Sequence, residues 1–216
     1  MGDPHEWVDR ANALTDPDRM EAALLALRAN CASWGEASDA LLGEFINGLR
    51  NRHHEGRLSE GSWRTLKRSF VRSVQRAAGR LRPRRGAPVA LLATPGGDIG
   101  CVLTGLAETV LRECGYTVLD VGAVRESGVL EEVIAEQRPH QVVLLADPRA
   151  EPAQLVPRLA GVSRAAARHG AELWLVGGAN WPALDGGRRL SSFSVLASTA
   201  ARRAGQEDDD VRVFTS

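Results

Sequence analysis

The chain of 216 residues carries 27 basic and 27 acidic side chains, and 44% of its residues are hydrophobic. These values are ordinary for a soluble globular protein with one large domain or two small ones. No apolar run approaches the roughly 20 residues that span a bilayer, and the polar start of the chain lacks the apolar core of a signal peptide. We therefore predict a cytoplasmic protein, whose three cysteines are reduced and mostly buried.

The first 81 residues predict a helical bundle. After a short helix near Trp7, "DPDRMEAALLALRANCAS" begins with an Asp-Pro pair suited to an N-cap and a first turn. Apolar residues recur at helical spacing there, in "EASDALLGEFINGLRNR", and in "WRTLKRSFVRSVQRAAGRL". No strand pattern interrupts these segments, so about four helices are expected.

Residues 82–88, "RPRRGAP", have the composition of a linker, and strands and helices alternate beyond them. Apolar strands are predicted at 89–93, 116–121, 141–146 and 171–176, with a helix after each. Apolar strands joined by helical crossovers indicate a doubly wound parallel sheet of the Rossmann or flavodoxin-like type over residues 89–205. Residues 206–216 form an acidic tail.

Glycines gather where the strands of this sheet end, which is the edge at which such sheets bind ligands. The turn "PGGDIG" holds Gly96, Gly97, Asp98 and Gly100, and Gly177-Gly178 follows the last predicted strand. A strand-to-helix turn needs glycine for structural reasons too, so both interpretations stay open. We expect Asp98 to cap the helix that starts at Ile99.

A bundle, a linker, a strand, "PGGDIG", "GYTVLDVG" and "LVGGA", in this order, resemble the cobalamin-binding module family over most of the chain. The module of light-sensing, cobalamin-dependent transcription regulators is the most similar type, and corrinoid carriers of methyltransferases are related to it. The resemblance matches Gly100 to the last glycine of the family's Asp-x-His-x-x-Gly motif. It matches Gly177-Gly178 to a Gly-Gly pair that accommodates the nucleotide tail of the cofactor.

Several positions depart from that family. The motif's histidine, which binds cobalt from below, falls on Gly97, and its acidic residue falls on Pro95. The Ser-x-Leu segment falls on Leu145-Ala146-Asp147. In the bundle, His53 stands where the family has a tryptophan over the cobalt, and Trp63-Arg64 stand at a Glu-His pair. The resemblance thus implies cobalamin or another tetrapyrrole held without a lower histidine ligand.

Two other features keep alternatives open. His53 or His54 could meet a metal from above, or both could be solvated turn residues. Trp181, in a glycine-rich loop, could stack on a planar ligand or pack in the loop. No Ser-His-Asp or Cys-His set is suggested by spacing, so we predict a protein without catalytic activity.

The last predicted helix of the bundle, "WRTLKRSFVRSVQRAAGRL", carries a row of arginines. Residues 50–85 hold 12 basic residues and two carboxylates, a local charge of +10. The row repeats every four residues, beside Lys67, and comprises Arg64, Arg68, Arg72, Arg76 and Arg80. A solvated face, an acidic protein surface or tail (Glu207–Asp210), and nucleic acid are the three interpretations.

Together these features predict a sensor or regulatory module that signals through a protein partner. Its ligand would lie between the two layers. The sheet side would comprise Gly96, Gly97, Asp98, Gly100, Leu145, Gly177 and Gly178, and the bundle side His53, His54 and Trp63. The alternatives are a corrinoid carrier for a methyltransferase and a scaffold without a cofactor.

Overall fold

The computed structural model describes residues 16–83, 85–124, 126–147, 155, 159, 161–177, 181–182 and 185–214, without the side chains of residues 44 and 206–214. The predicted helix near Trp7 and the predicted ligand residue Gly178 lie outside these residues. No helix in the described part of the chain is long and apolar enough to cross a membrane.

The N-terminal part is helical, as predicted. It comprises α1 (Pro17–Ala29), α2 (Trp34–Ala40), a π-helical segment (Leu41–Ile46), α3 (Asn47–His54) and α4 (Glu60–Gly79). The predicted cap of α1 is confirmed, since Asp16 accepts a hydrogen bond from the backbone N–H of Asp18 at 2.9 Å. Ser33 and Ser59 cap α2 and α4 in the same way.

The second part confirms the predicted doubly wound α/β fold. Its elements are β1 (Val89–Thr94), α5 (Gly100–Glu113), β2 (Thr117–Ala123), α6 (Ser127–Gln137), β3 (Gln141–Leu145), α7 (Val162–Arg168), β4 (Glu172–Val176), β5 (Gly187–Leu190) and α8 (Phe193–Phe214). The strands are all parallel, in the order β2-β1-β3-β4-β5.

Strand β5 was not predicted from the sequence. It contains the exposed, charged Arg188 and Arg189, and only Leu190 is buried. A short edge strand with exposed charges lacks the apolar run that marks the other strands, and such charges also protect an edge from unwanted pairing.

The strand order reverses between β1 and β3. The chain first moves from β1 outward to β2 and then crosses back to β3 on the other side of β1. Ligands of such sheets bind outside the carboxyl ends of the strands at this point. The glycine turn follows β1 and Asp147 follows β3, so both lie at the reversal.

The hydrophobic core has two parts, one on each face of the sheet. On one face, the bundle residues Trp63 and Phe70 share a continuous core with Leu106 of α5 and Trp174 of β4. On the other face, β1, β3 and β4 pack against α6 and α7, and Trp181 belongs to that core. The bundle is therefore joined to the sheet through a common apolar layer.

Candidate functional site

The glycine turn has the conformation that its residues suggest. Gly96 and Gly97 have φ angles of 104° and 113°, in the left-handed region that side chains disfavour. A Cβ atom on Gly97 would also lie 3.2 Å from the Cβ of Asp147, and one on Gly100 would lie 3.1 Å from Thr94. The turn therefore requires glycine for structural reasons. Gly97 is nevertheless exposed, so the turn can be reached from solvent.

Asp98 does not cap α5, and that prediction is wrong. The N-cap residue is Ile99, and no side chain caps this helix. Instead, Asp98 accepts hydrogen bonds from the indole Nε1 of Trp63 at 3.2 Å and from the Nζ of Lys67 at 2.7 Å. Lys67 also donates to the backbone oxygen of Asp98 at 2.8 Å. Two donors from α4, one of them charged, thus hold the carboxylate toward the bundle.

These contacts shift the pKa of Asp98. Its burial acts to raise the pKa, but the hydrogen bonds from Lys67 and Trp63 and the positive charges nearby outweigh that effect. The pKa of Asp98 is therefore lowered below its usual value, and the carboxylate is charged at neutral pH. The Asp98–Lys67–Trp63 contact is thus a charged link between the bundle and the glycine turn.

A buried ion pair forms a second link, which we call the Arg50–Asp147 latch. The two guanidinium NH groups of Arg50 each donate to one carboxylate oxygen of Asp147 at 2.8 Å. The side chains are 8% and 3% exposed. The latch connects α3 of the bundle with Asp147, the second residue after β3, which lies beside Gly97.

The latch was not predicted from the sequence. Along the chain, Arg50 is one of many basic residues in its region, and Asp147 stands out only as a departure from the family pattern. A charged residue directly after an apolar strand is the available signal on the sheet side. Pairing it with Arg50 requires knowing how the bundle sits on the sheet edge.

The two predicted metal-binding histidines lie at the end of α3. The Nδ1 of His53 is 3.1 Å from the backbone oxygen of Leu58, and its Nε2 is 3.1 Å from the carboxylate of Glu60. Its ring also stacks on Trp63, with 6.0 Å between the centroids. His53 could bind a metal only after giving up one of these contacts. His54 is exposed beside it.

No group of three or more His, Cys, Asp or Glu side chains that could hold a metal occurs in the described ranges. Burial and the neighbouring Glu113 raise the pKa of Cys114 to about 11, so its thiol is protonated at neutral pH. Cys31 also has a raised pKa, mainly because of burial. Cys101 is exposed in the first turn of α5.

A cavity of about 180 Å³ lies at the same edge of the sheet. We call it the edge cavity. Its wall is mostly apolar and is formed by Asp39, Leu42, Leu103, Leu145, Ala146, Val176, Gly177, Ser191, Ser192 and Phe193. Gly177 has a φ of 100°, and a Cβ atom there would lie 2.9 Å from the backbone oxygen of Ala146. Two predicted ligand residues, Leu145 and Gly177, thus line one cavity with the bundle residue Leu42.

Trp181 lies away from this cavity. It is 3% exposed, belongs to the core on the opposite face of the sheet, and donates its indole N–H to the backbone oxygen of Val176 at 3.1 Å. The structure therefore shows the loop-packing alternative for Trp181. It does not bring this side chain to Trp63 and His53.

The arginine row of α4 has acidic neighbours that its spacing alone does not reveal. Arg64 pairs with Glu60 at 2.5 Å, one helical turn earlier, and Arg76 pairs with Asp18 of α1. Arg80 pairs with the buried Glu21 at 2.5 Å. Arg68 and Arg72 are exposed. Much of the row therefore binds α1 and α4 themselves, while the side chains of Glu207–Asp210 lie outside the described residues.

Comparisons with known proteins concern the fold. No family model matches the chain, and no curated protein matches it. The methanol:cobalamin methyltransferase complex of Methanosarcina barkeri is 15% identical with a TM-score of 0.45, and the match covers 90% of this chain and 78% of that one. The monomethylamine corrinoid protein of Methanosarcina barkeri is 15% identical with a TM-score of 0.47, over 85% of this chain and 96% of that one.

A cobalamin-binding protein from Desulfitobacterium hafniense is also similar, at 15% identity and a TM-score of 0.43. That match covers 89% of this chain and 95% of the other. At this identity and TM-score, the likeness says nothing about a ligand of this chain.

The residues present fit a corrinoid only in part. A cavity of about 150 Å³ with an apolar wall can hold a benzene ring, so the edge cavity has the size for a small aromatic base. It is smaller than the roughly 300–1,000 Å³ of ordinary ligand pockets, and a corrin ring does not fit inside it. Gly97 offers no nitrogen to cobalt, and Arg50 and Trp63 of the bundle bind the carboxylates of Asp147 and Asp98 next to it. A corrin ring therefore requires the bundle to move at this edge.

Proposed function

We propose that this chain is a non-catalytic sensor module that binds its ligand between the bundle and the carboxyl edge of the sheet, and that signals through a protein partner. The Arg50–Asp147 latch is the observation that carries this proposal. Two charges are buried at the point where the strand order reverses, and they join the two layers there. Buried ion pairs add little stability compared with apolar packing, so a specific or switching role accounts for the latch better.

The ligand class we propose is a corrinoid held without a nitrogen ligand from the protein. Its support is the exposed glycine turn, the absence of a side chain at Gly97 and the apolar edge cavity. A bound corrinoid would supply a cobalt centre that can respond to light. The residues of this chain would bind and orient it, and would report its presence.

The opening of the latch would signal that a ligand is bound. Arg50 and Asp147 lose each other as partners, and the buried guanidinium of Arg50 then needs a new hydrogen-bonding group, since an unpaired buried charge is costly. The Nε of Arg50 is buried and has no hydrogen-bond partner even in the closed form. Opening therefore couples ligand binding to a movement of α3 on the bundle surface.

Titration with hydroxocobalamin and adenosylcobalamin in the dark tests the proposal. We expect a coloured complex on gel filtration. If the ligand competes with the latch, the double variant Arg50→Met/Asp147→Asn should bind the cobalamin about tenfold more tightly, which corresponds to about 1.4 kcal/mol.

The chain offers a matched control for this variant. Arg28 and Glu113 form another ion pair between the bundle and α5, at 2.6 Å and away from the glycine turn. Arg28→Met/Glu113→Gln should leave the affinity unchanged. The proposal is wrong if no variant retains either cobalamin, which would favour the scaffold alternative. Binding that is equal in wild type and both double variants would favour a carrier whose bundle does not respond.

A further inference from the structure

The helix that carries Arg50 is irregular in one place. Residues Trp34–His54 form one continuous helix, in which Leu41–Ile46 adopt π geometry between α2 and α3. The backbone N–H of Asn47 donates to the oxygen of Leu42, five residues earlier rather than four. Single turns of π-helix inside α-helices contain an extra residue, and they occur often at functional sites.

The extra residue determines where Arg50 lies. Ser38 of α2 and Arg50 of α3 are both buried, although they are twelve residues apart. At about 100° per residue, a regular α-helix would place them about 120° apart. With one residue taken up by the π turn, they lie about 20° apart, on one face of the helix. The latch therefore depends on the π turn.

We infer that the π turn is the moving part of the latch. When it relaxes to a regular α-helix, α3 turns by about 100° and withdraws Arg50 from Asp147, and Leu49 takes the place of Arg50. The closed state is stabilised by the buried ion pair, and the open state by regular helical hydrogen bonds. This inference rests on the proposed function, because it describes how the proposed ligand would be coupled to the bundle.

Contacts on the N-terminal side of the π turn confine this rotation to α3. On the N-terminal side, Asp39 of α2 accepts hydrogen bonds from Phe193 and Ser194 of α8, and Gly35 packs directly on α8. On the C-terminal side, α3 leads into a short turn, where Gly56 has a φ of 72° and free space around it. With α2 fixed, the rotation of α3 is taken up at this turn, and it breaks the contacts of His53 with Leu58, Glu60 and Trp63.

Deletion of Gly43 is the first test. Gly43 lies within the π turn and is exposed, and a Cβ atom at this position would have nothing within 4 Å. Without it, a regular α-helix already points Arg50 at Asp147, so the latch loses its alternative state. Amide hydrogens of Leu41–His54 should exchange with solvent at least about tenfold more slowly than in wild type. Gly43→Ala is the control: like the deletion, it removes a glycine from the helix and so raises the helix propensity, but it keeps the extra residue. It should therefore not reproduce this slowing.

Asp147→Asn, in the full-length chain, is the second test. It weakens the latch, so the π turn should relax, and the N–H of Asn47 should change its acceptor from Leu42 to Gly43. Couplings across hydrogen bonds, measured by NMR, report the acceptor directly. The inference is wrong if the Leu42 acceptor persists in this variant. It is also wrong if the deletion variant fails to fold or exchanges as fast as wild type. Neither test uses a ligand, so these outcomes are independent of the cobalamin titration.

Discussion

The bundle meets the α/β part of the molecule in two different ways. At the first contact, which we call the fixed joint, Gly35 lies against the backbone of α8, and Asp39 caps that helix with three hydrogen bonds. At the second contact, the edge joint, the Arg50–Asp147 latch and the Asp98–Lys67–Trp63 contact lie beside the glycine turn.

The two joints differ in whether a ligand can replace their contacts. Close backbone packing cannot be replaced by a ligand, because no space opens without separating the helices. Charged side chains can exchange one partner for another, provided that the new partner satisfies the same hydrogen bonds. We therefore expect the fixed joint to hold the fold together, and the edge joint to respond.

Removing one residue of the latch should have the largest effect on the free energy of unfolding. Arg50→Met removes the positive charge that faces the buried carboxylate of Asp147, and should lower the free energy of unfolding by about 3–5 kcal/mol. Arg50→Met/Asp147→Asn should regain most of this loss. Urea unfolding measures both variants. A loss for Arg50→Met no larger than that for Arg28→Met, at a side chain that is 28% exposed, would show that the latch is not a buried pair in solution.

The fixed joint should be sensitive to a single methyl group. A Cβ atom on Gly35 would lie 2.7 Å from the backbone oxygen of Phe193 and 2.8 Å from the Cβ of Ala197. Gly35→Ala should therefore cost about 1–3 kcal/mol through overpacking, measured by thermal or urea unfolding. Gly128→Ala in α6 is the control, because that position has free space and should gain stability from helix propensity. Equal effects at both positions would contradict the close approach.

The cap of α8 by Asp39 should contribute less to the free energy of unfolding. Asp39→Ala removes the acceptor for Phe193 and Ser194, and should cost about 1–2 kcal/mol. Asp39→Asn retains an acceptor oxygen and should lose only part of that amount. If the alanine and asparagine variants unfold at the same urea concentration, the capping hydrogen bonds do not account for the effect of Asp39.

The smallest effect should appear only in acid. The pKa of Asp98 is lower in the folded protein than in the unfolded chain, so its contribution to stability is present above about pH 4 and is lost as the pH falls through its folded value. Asp98→Asn should flatten this part of the stability curve, measured by urea unfolding between neutral and acidic pH. A curve that keeps the same acid slope in this variant would assign the slope to other carboxylates.

The apolar patterns of the sequence predicted the fold, but they did not predict the contacts of the edge joint. Uninterrupted apolar strands predicted the parallel sheet, and the left-handed turn at Gly97 followed from its glycines. The partners of Asp98 and Asp147 come from residues far away in the chain, and a local pattern cannot show them. The π turn was hidden as well, because one extra residue leaves the apolar spacing of Leu41, Phe45 and Leu49 close to helical.

Spin labels on the two parts of the molecule test the central claim most directly. With the native cysteines replaced, labels at Glu55→Cys and Ser198→Cys report the position of the end of α3 relative to α8, and both residues are exposed. Labels at Ala22→Cys and Ser198→Cys report the fixed part of the bundle. On saturation with cobalamin, we predict a changed Glu55–Ser198 distance and a constant Ala22–Ser198 distance. If cobalamin binds and both distances stay the same, the edge joint does not open, and the account is contradicted.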